Sequence, residues 1–177
     1  MNYLLDGEES ARLRFRNLEP TDFKSWLPFF ENPLSDRYWS GVKLSPEEGC
    51  NLWLNKTFER YDNKKGGMNV LIDKSSGCFI GQCGLLVQTV DDLEELEVGY
   101  SILPAYWNKG YATEAARKCM HYAFTNNFRD SLISIIHENN VESEKVALKN
   151  NLTLEKRTIY KDNPVKIYRI KKESFIK

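Results

Sequence analysis

A glycine-containing turn between a strand-like segment and a helical segment is the first place where residue types and spacing suggest chemistry. Residues 106–115 read YWNKGYATEA, and Gly110 and Ala112 are small enough to leave the backbone accessible where the helix begins. The first N–H groups of a helix have no intrahelical partner, and the helix dipole places positive charge behind them. The turn is therefore either a simple strand-to-helix connection or a cradle for a phosphate group.

A carboxylate on the preceding strand is the second candidate. Residues 93–103 alternate with the period of a strand, which places Glu97 opposite an apolar stripe formed by Leu96, Val98, Tyr100 and Ile102. Because other acidic residues adjoin it, spacing alone allows Glu97 to be either a solvated side chain or an acid–base group. Gly99 predicts a gap or a bulge in this strand, where backbone groups can pair with a ligand.

The segment ENNVES at residues 138–143 offers a hydroxyl group at the start of another helix. Asn139 or Asn140 can cap this helix, and Asn139 with Glu142 has the spacing of a capping box. A cap and the third residue after it lie on one face of the helix, so Ser143 is presented on the same side as Asn140. The capping interpretation and a functional one can both hold.

Composition restricts the classes of function. The chain of 177 residues is 41% hydrophobic and 12% aromatic, which predicts a single domain over residues 1–177. Its formal net charge of +0 provides no overall positive electrostatic field that would attract nucleic acid or anionic membranes. Residues 1–99 carry an acidic excess and residues 100–177 a basic one, so an anionic ligand suits the second part better.

The cysteines and the N-terminus point to a reduced, cytoplasmic protein. Four cysteines form no CxxC pair, and two histidines complete no zinc pattern, so we expect no metal site. The N-terminus meets acidic residues before an apolar signal region can form, and no apolar run reaches membrane-spanning length. The sequence is compatible with a homodimer.

The helices and strands that position these residues are predicted from the hydrophobic periodicity and from the residues that favour turns and helix caps. A strand around Leu13 and Phe15 precedes a helix to about Glu31 and a second helix from Ser45 to about Tyr61. Three antiparallel strands follow as a meander over 68–103, then a helix over 110–126, a strand over 131–136 and a helix over 140–150. Strands over 153–160 and 165–171 close the chain as a hairpin around 162–164. The strand–helix–strand unit over 93–136 predicts two parallel neighbouring strands.

With this order of elements, the sequence resembles the GNAT superfamily of acyl-CoA-dependent N-acyltransferases, on EVGYSILPAYWNKGYATEA, HYAF and ENNVES. It looks closest to the bacterial ribosomal-protein N-terminal acetyltransferases, in which the loop commonly has the sequence WGxGYATEA. Asn108 stands where that pattern has glycine, so it must adopt the glycine conformation or shift the loop. The resemblance implies an α/β fold, flanked by helices, whose mixed sheet is splayed between two central parallel strands, with coenzyme A in the cleft.

The resemblance also assigns roles. Its E-x-G-Y motif makes Glu97 the candidate general base, and its N-x-x-S motif makes Ser143 the candidate acid or thiolate stabiliser. The residues that it places against acetyl-CoA, the cosubstrate, are Tyr100, Ser101, Ile102, Trp107, Asn108, Lys109, Gly110, Tyr111, Ala112, Thr113 and Asn140. His121 and His137 are interpreted as structural.

The sequence leaves two alternatives for the acceptor: the α-amine of a protein N-terminus or the amine of a small molecule. Because an α-amine titrates near 8 and a lysine near 10.4, the α-amine needs less help from a base. We expect the first two helices and the loops at 64–67 and 91–92 to form the acceptor site. A non-catalytic acyl-CoA-binding module is the alternative, and the presence of Glu97 and Ser143 argues against it. A P-loop hydrolase would need GxxxxGK[ST], which is absent.

Overall fold

The computed structural model describes residues 1–175. These residues form seven strands and five helices, together with 3-10 turns at Pro20–Asp22 and Pro104–Tyr106. In chain order the elements are β1 (Leu13–Arg16), α1 (Phe23–Glu31), α2 (Pro46–Asp62), β2 (Gly66–Asp73), β3 (Phe79–Val90), β4 (Leu93–Ile102), α3 (Tyr111–Thr125), β5 (Ser131–His137), α4 (Val141–Lys149), β6 (Thr153–Tyr160), β7 (Asn163–Lys171) and α5 (Lys172–Phe175). The predicted order of elements is confirmed.

Local sequence explains where the second helix begins. The Ser45 hydroxyl accepts from the Glu48 N–H at 3.2 Å, and the Glu48 carboxylate accepts from the Ser45 N–H at 3.0 Å. Pro46 occupies the first helical position, where the missing N–H costs nothing. The predicted capping box therefore fixes the start of α2, the helix that lies over one face of the sheet.

The sheet has the order β1-β2-β3-β4-β5-β7-β6, and within residues 1–175 only β4 and β5 are parallel neighbours. These two strands share a single registered pair, Glu97 with Ile133, and then diverge toward their carboxyl ends. By contrast, β3 and β4 stay in register from Gly81–Ile102 to Val90–Leu93. The predicted mixed sheet, splayed between its two parallel strands, is confirmed.

Helices cover both faces of the sheet. On one face, α3 packs through Ala115, Cys119 and Met120 against buried residues of β3 and β4, which include Leu85 and Val98. On the other face, α1 and α2 contribute a second core formed by Leu18, Trp26, Phe29, Cys50, Leu54, Val70 and Leu103. Glu97 lies on this second face, opposite the apolar stripe, as its alternation predicts. Within residues 1–175, no helix combines the length and apolar character needed to cross a membrane.

The last hairpin differs from its prediction. Its turn is Lys161–Asp162, both with positive φ (48° and 63°), rather than residues 162–164. Two consecutive left-handed residues give the two-residue turn whose twist matches the flanking strands. Pro164 therefore belongs to β7, where it pairs in register with Ile159. The shift brings Lys161 to the tip of the hairpin.

Candidate active site

The cleft between the diverging strands β4 and β5 has a volume of about 940 Å³. The Ser134 hydroxyl donates to the Val98 carbonyl at 3.0 Å, and the Trp107 indole donates to the Ile102 carbonyl at 2.7 Å. Because a strand's backbone groups point to the same side at every second residue, the N–H and carbonyl of Tyr100 face the cleft between these two. An extended ligand can pair with them as an added strand.

The loop before α3 opens on this cleft. Asn108 has φ 60° and Gly110 has φ 79°, so left-handed residues alternate along the loop. Among the hydrogen bonds formed within residues 1–175, none is donated by the backbone N–H groups of residues 108–113. Successive N–H groups in such a conformation form an anion-binding concavity, and the start of α3 adds its dipole. The residues present therefore fit the diphosphate of coenzyme A.

Contacts that the sequence did not reveal hold this loop in place. The Glu114 carboxylate accepts from the Ser10 hydroxyl at 2.7 Å and from the Arg12 side chain at 2.6 Å. Arg12 also donates to the Lys109 carbonyl at 3.0 Å and lies 4.3 Å from the Tyr111 ring centroid. Although burial opposes them, these hydrogen bonds keep the pKa of Glu114 below its usual value. Arg12, directly before β1, thus ties the loop and α3 to the N-terminal segment.

Glu97 lines the cleft and belongs to a hydrogen-bond network of polar side chains. Gln88 donates from Nε2 to Glu97 Oε2 at 2.6 Å. The Gln88 Oε1 atom accepts from Arg60 at 2.8 Å and from the Tyr160 hydroxyl at 2.7 Å. Two donors on Oε1 fix the orientation of the amide, so Gln88 can only donate to Glu97. Burial raises the pKa of Glu97, while the Gln88 hydrogen bond opposes that rise.

The start of α4 lies across the same cleft. Asn140 Oδ1 accepts from the Ser143 N–H at 3.1 Å, so Asn140 is the cap. The predicted capping box of Asn139 with Glu142 is wrong, because Asn140 already satisfies the N–H group at the third helical position. The Tyr100 hydroxyl donates to the Ser143 carbonyl at 2.8 Å, which joins β4 to α4. Burial raises the pKa of Tyr100 well above its usual value, so the phenol stays protonated.

Almost every residue predicted for the site lines this one cleft. They are Glu97, Tyr100, Ser101, Ile102, Trp107, Asn108, Gly110, Tyr111, Ala112, Thr113, Asn140 and Ser143. Lys109 is different: its side chain donates to the Ala105 carbonyl at 3.1 Å and does not line the cleft. Its backbone N–H still belongs to the loop.

The end of the cleft where the acceptor is expected agrees with its prediction in part, because Phe29 of α1 and Trp53 of α2 line it. Aromatic side chains of the segment between α1 and α2 cover it: Trp39 stacks on Trp53 at 5.2 Å, and Tyr38 stacks on His137 at 5.0 Å. The loops at 64–67 and 91–92 do not line the cleft. Gly66 and Gly67 belong to β2, and Asp91 pairs with Lys156 at 2.7 Å. The lack of secondary structure in residues 32–45 hid this wall from periodicity arguments.

Comparison with known proteins gives a family. A model of the acetyltransferase (GNAT) domain matches residues 12–153. A relative from Bacillus subtilis (strain 168), the uncharacterized protein YkkB, is 32% identical over 161 residues, which cover 89% of this chain and 91% of that one.

Solved structures agree on the fold. An acetyltransferase from Agrobacterium tumefaciens str. C58 has a TM-score of 0.78 at 22% identity, covering 96% of each chain. A spermidine N-acetyltransferase from Vibrio cholerae, in complex with CoA and spermine, has a TM-score of 0.74 at 17% identity, covering 94% of this chain and 99% of that chain. The ribosomal-protein-S5-alanine acetyltransferase from Vibrio fischeri has a TM-score of 0.70 at 17% identity, covering 95% and 97%.

Proposed function

Because this chain belongs to the GNAT acetyltransferases and uses acetyl-CoA, we propose that it transfers acetyl directly to an α-amine of a protein or to a small-molecule amine. One observation carries the proposal. The unpaired N–H groups of residues 108–113 and the half-buried carboxylate of Glu97 open on the same cleft. An anion-binding loop and a base are thereby brought together.

The residues supply what direct transfer needs. Acetyl-CoA contributes a thioester that a neutral amine can attack, so that the C–N bond forms as the C–S bond breaks. Glu97 accepts the proton that the amine loses, directly or through water. The backbone of Tyr100, in the gap between β4 and β5, aligns the reacting groups. No covalent intermediate with the protein is needed.

Ser143 has the second chemical role. It lies at the start of α4, and its side chain lines the cleft. Its hydroxyl can donate to the sulfur as negative charge develops there, and Asn140 holds the turn that presents it. The basic side chains of Lys145 and Lys149 line the same part of the cleft and favour an anionic ligand. We assign this end to the coenzyme and the Glu97 end to the amine.

Mass spectrometry of acetylated products tests the proposal. We expect the protein to acetylate at least one member of a panel of free N-terminal peptides and small amines. The variant Ser143→Ala should keep acetyl-CoA affinity within a few-fold and lose about tenfold to a thousandfold in turnover. Turnover at the wild-type rate in Ser143→Ala would remove Ser143 from the mechanism. Tight binding of acetyl-CoA without any acetylated product would contradict the proposed transfer.

A further inference from the structure

The acceptor end of the cleft carries more positive charge than Glu97 can balance. Arg60 of α2 hydrogen-bonds to Gln88, the partner of Glu97, and Lys161 lines the cleft from the turn between β6 and β7. The charges of Arg60 and Lys161 both act on Glu97. Within residues 1–175, neither of these two cations forms an ion pair with a carboxylate. Two positive charges thus face one negative charge.

Arg60 is fixed, and its charge is not neutralised. Its guanidinium donates to the Val87 carbonyl at 3.1 Å and to Gln88 Oε1 at 2.8 Å, both of which are uncharged acceptors. The other carboxylate that lines the cleft is Glu142 on α4, and it pairs with Lys145 at 3.1 Å. Asp162, beside Lys161 in the chain, does not line the cleft. Glu97 is therefore the one carboxylate lining the amine end in the described part of the chain.

Lys161 is placed to contact a ligand. Its carbonyl accepts from the Ser40 hydroxyl at 2.9 Å, which fastens the hairpin tip to the segment covering the cleft. Its ammonium lies 5.0 Å from the centroid of the Tyr160 ring, and its side chain lines the cleft. Partial burial, together with the positive charge of Arg60, lowers the pKa of Lys161, whereas Glu97 opposes that effect. An anion beside Lys161 would relieve this imbalance.

From this arrangement we infer that the acceptor is an amine that also carries a carboxylate, with the amine at Glu97 and the carboxylate at Lys161. The inference rests on the proposed acetyl transfer and names its substrate class. A polyamine would add positive charges to a site that already holds two, and it would find one carboxylate. Like charges brought together in a partly dehydrated site disfavour binding, whereas complementary ones select the partner.

Matched acceptor pairs test the inference. L-leucine is compared with L-leucinamide, and a peptide amide beginning Asp-Ala with one beginning Asn-Ala; spermidine is the third arm. With kcat/KM expressed per neutral amine, we expect the carboxylate-bearing member of at least one pair to be favoured by about tenfold to a hundredfold. The first pair reports a free amino acid and the second an acidic N-terminus.

Variants of Lys161 connect the preference to the residue. Lys161→Gln should reduce the ratio within the favoured pair by about tenfold, and Lys161→Glu should turn the preference toward the uncharged member or spermidine. Lys64→Gln is the matched control. Lys64 is also an exposed turn lysine in the left-handed region, with φ 54° against 48° for Lys161, and it lies outside the cleft. It should leave the ratio unchanged.

The outcomes separate this inference from the proposed function. Equal kcat/KM within both pairs, a better rate with spermidine than with either carboxylate, or an unchanged ratio in Lys161→Gln would overturn the inference while acetyl transfer stands. If no amine is acetylated although acetyl-CoA binds, the proposed acetyl transfer itself is contradicted, and the inference that rests on it falls with it. A preference that is lost equally in Lys64→Gln would show a general charge effect and also contradict the role of Lys161.

Discussion

At Glu97, burial and neighbouring charge act in opposite directions on one carboxyl group. Burial is the larger effect and raises its pKa, while the Gln88 hydrogen bond, the Ile135 N–H and the charges of Arg60 and Lys161 lower it. A carboxylate whose pKa moves toward neutrality is a stronger base for an ammonium that must lose its proton. We therefore expect wild-type kcat/KM to fall as pH falls through the raised pKa of Glu97, because protonation removes the base.

The substitution Glu97→Gln isolates this role. It is nearly isosteric, so acetyl-CoA affinity should stay within a few-fold. Turnover should fall by about a hundredfold or more near neutral pH. The loss should shrink as pH approaches the pKa of the acceptor amine, since solution then supplies the neutral amine. Pre-steady-state measurement of acetyl transfer across pH checks both expectations.

Stability provides the control for that experiment. A carboxyl group whose pKa is raised in the folded state destabilises the fold above its unfolded pKa, because ionisation then costs more in the folded protein. Glu97→Gln should consequently unfold at the wild-type temperature or above, so a loss of turnover cannot be ascribed to unfolding. A loss of the same size at every pH would indicate that the charge positions the substrate and does not accept a proton.

Residue-level prediction from sequence succeeded where periodicity or a short motif decides geometry. Strand alternation put Glu97 on the face opposite Leu96 and Val98, and the structure agrees. It could not reveal that Gln88 orients Glu97, because Arg60 and Tyr160 reach Gln88 from elements far apart in the chain. Hydrogen-bond networks between side chains depend on tertiary packing in this way, and no local sequence pattern predicts them.

Among the elements, the loop before α3 shows how asparagine substitutes for glycine. Asn108, Asn127 and Asn151 have φ of 60°, 54° and 64°, and each adopts the left-handed conformation that its position requires. The amide side chain tolerates that region better than other side chains do. Of the two alternatives for Asn108, the structure shows the first, the glycine conformation, and the N–H groups of the loop remain uncovered.

Gly110 tests the loop as a unit. A Cβ atom at Gly110 would meet only the Arg12 guanidinium, at 3.5 Å, so the surroundings leave room for a side chain. Gly110→Glu should nevertheless weaken coenzyme A binding at least about tenfold, because a carboxylate would then occupy the anion cradle. Gly77→Glu is the matched control: Gly77 has φ 71°, has no atom near its Cβ position, and lies in the β2–β3 turn. Isothermal titration calorimetry with coenzyme A measures the affinity of both variants. Equal affinities would contradict the assignment of the loop as an anion-binding site.

The elements that sequence placed less well are those without a period. The segment 32–45, which covers one end of the cleft, contains few regular hydrogen bonds, and its aromatic side chains meet α2 only in the folded protein. The hairpin turn was predicted at residues 162–164 and lies at 161–162, because Asn163 and Pro164 are themselves common turn residues. The twist of β6 and β7 settled the choice in favour of Lys161–Asp162.

For the whole molecule, the cleft is where the sheet is least continuous. Strands β1–β4 and β5–β7 form two well-registered sets that share one residue pair, Glu97 with Ile133. A ligand lying in the cleft would contact both sets, through the backbone of Tyr100 on one side and residues 134–137 on the other. Binding should accordingly strengthen the junction between the two sets of strands.

Thermal unfolding measures this effect. At a concentration about 100 times its Kd, a ligand that binds only the folded state adds about 2.7 kcal/mol of stability. For a chain of this size, that corresponds to a rise in Tm of about 5–10 °C. Acetyl-CoA should produce this rise, and hydrogen exchange should slow at Tyr100 and along residues 134–137, where the two sets of strands diverge. A rise in Tm with slowed exchange confined to the loop at 108–113 would show that the phosphates bind while the junction stays open. An unchanged Tm at high acetyl-CoA concentration would show that acetyl-CoA does not bind the folded protein, and would contradict its binding in the cleft.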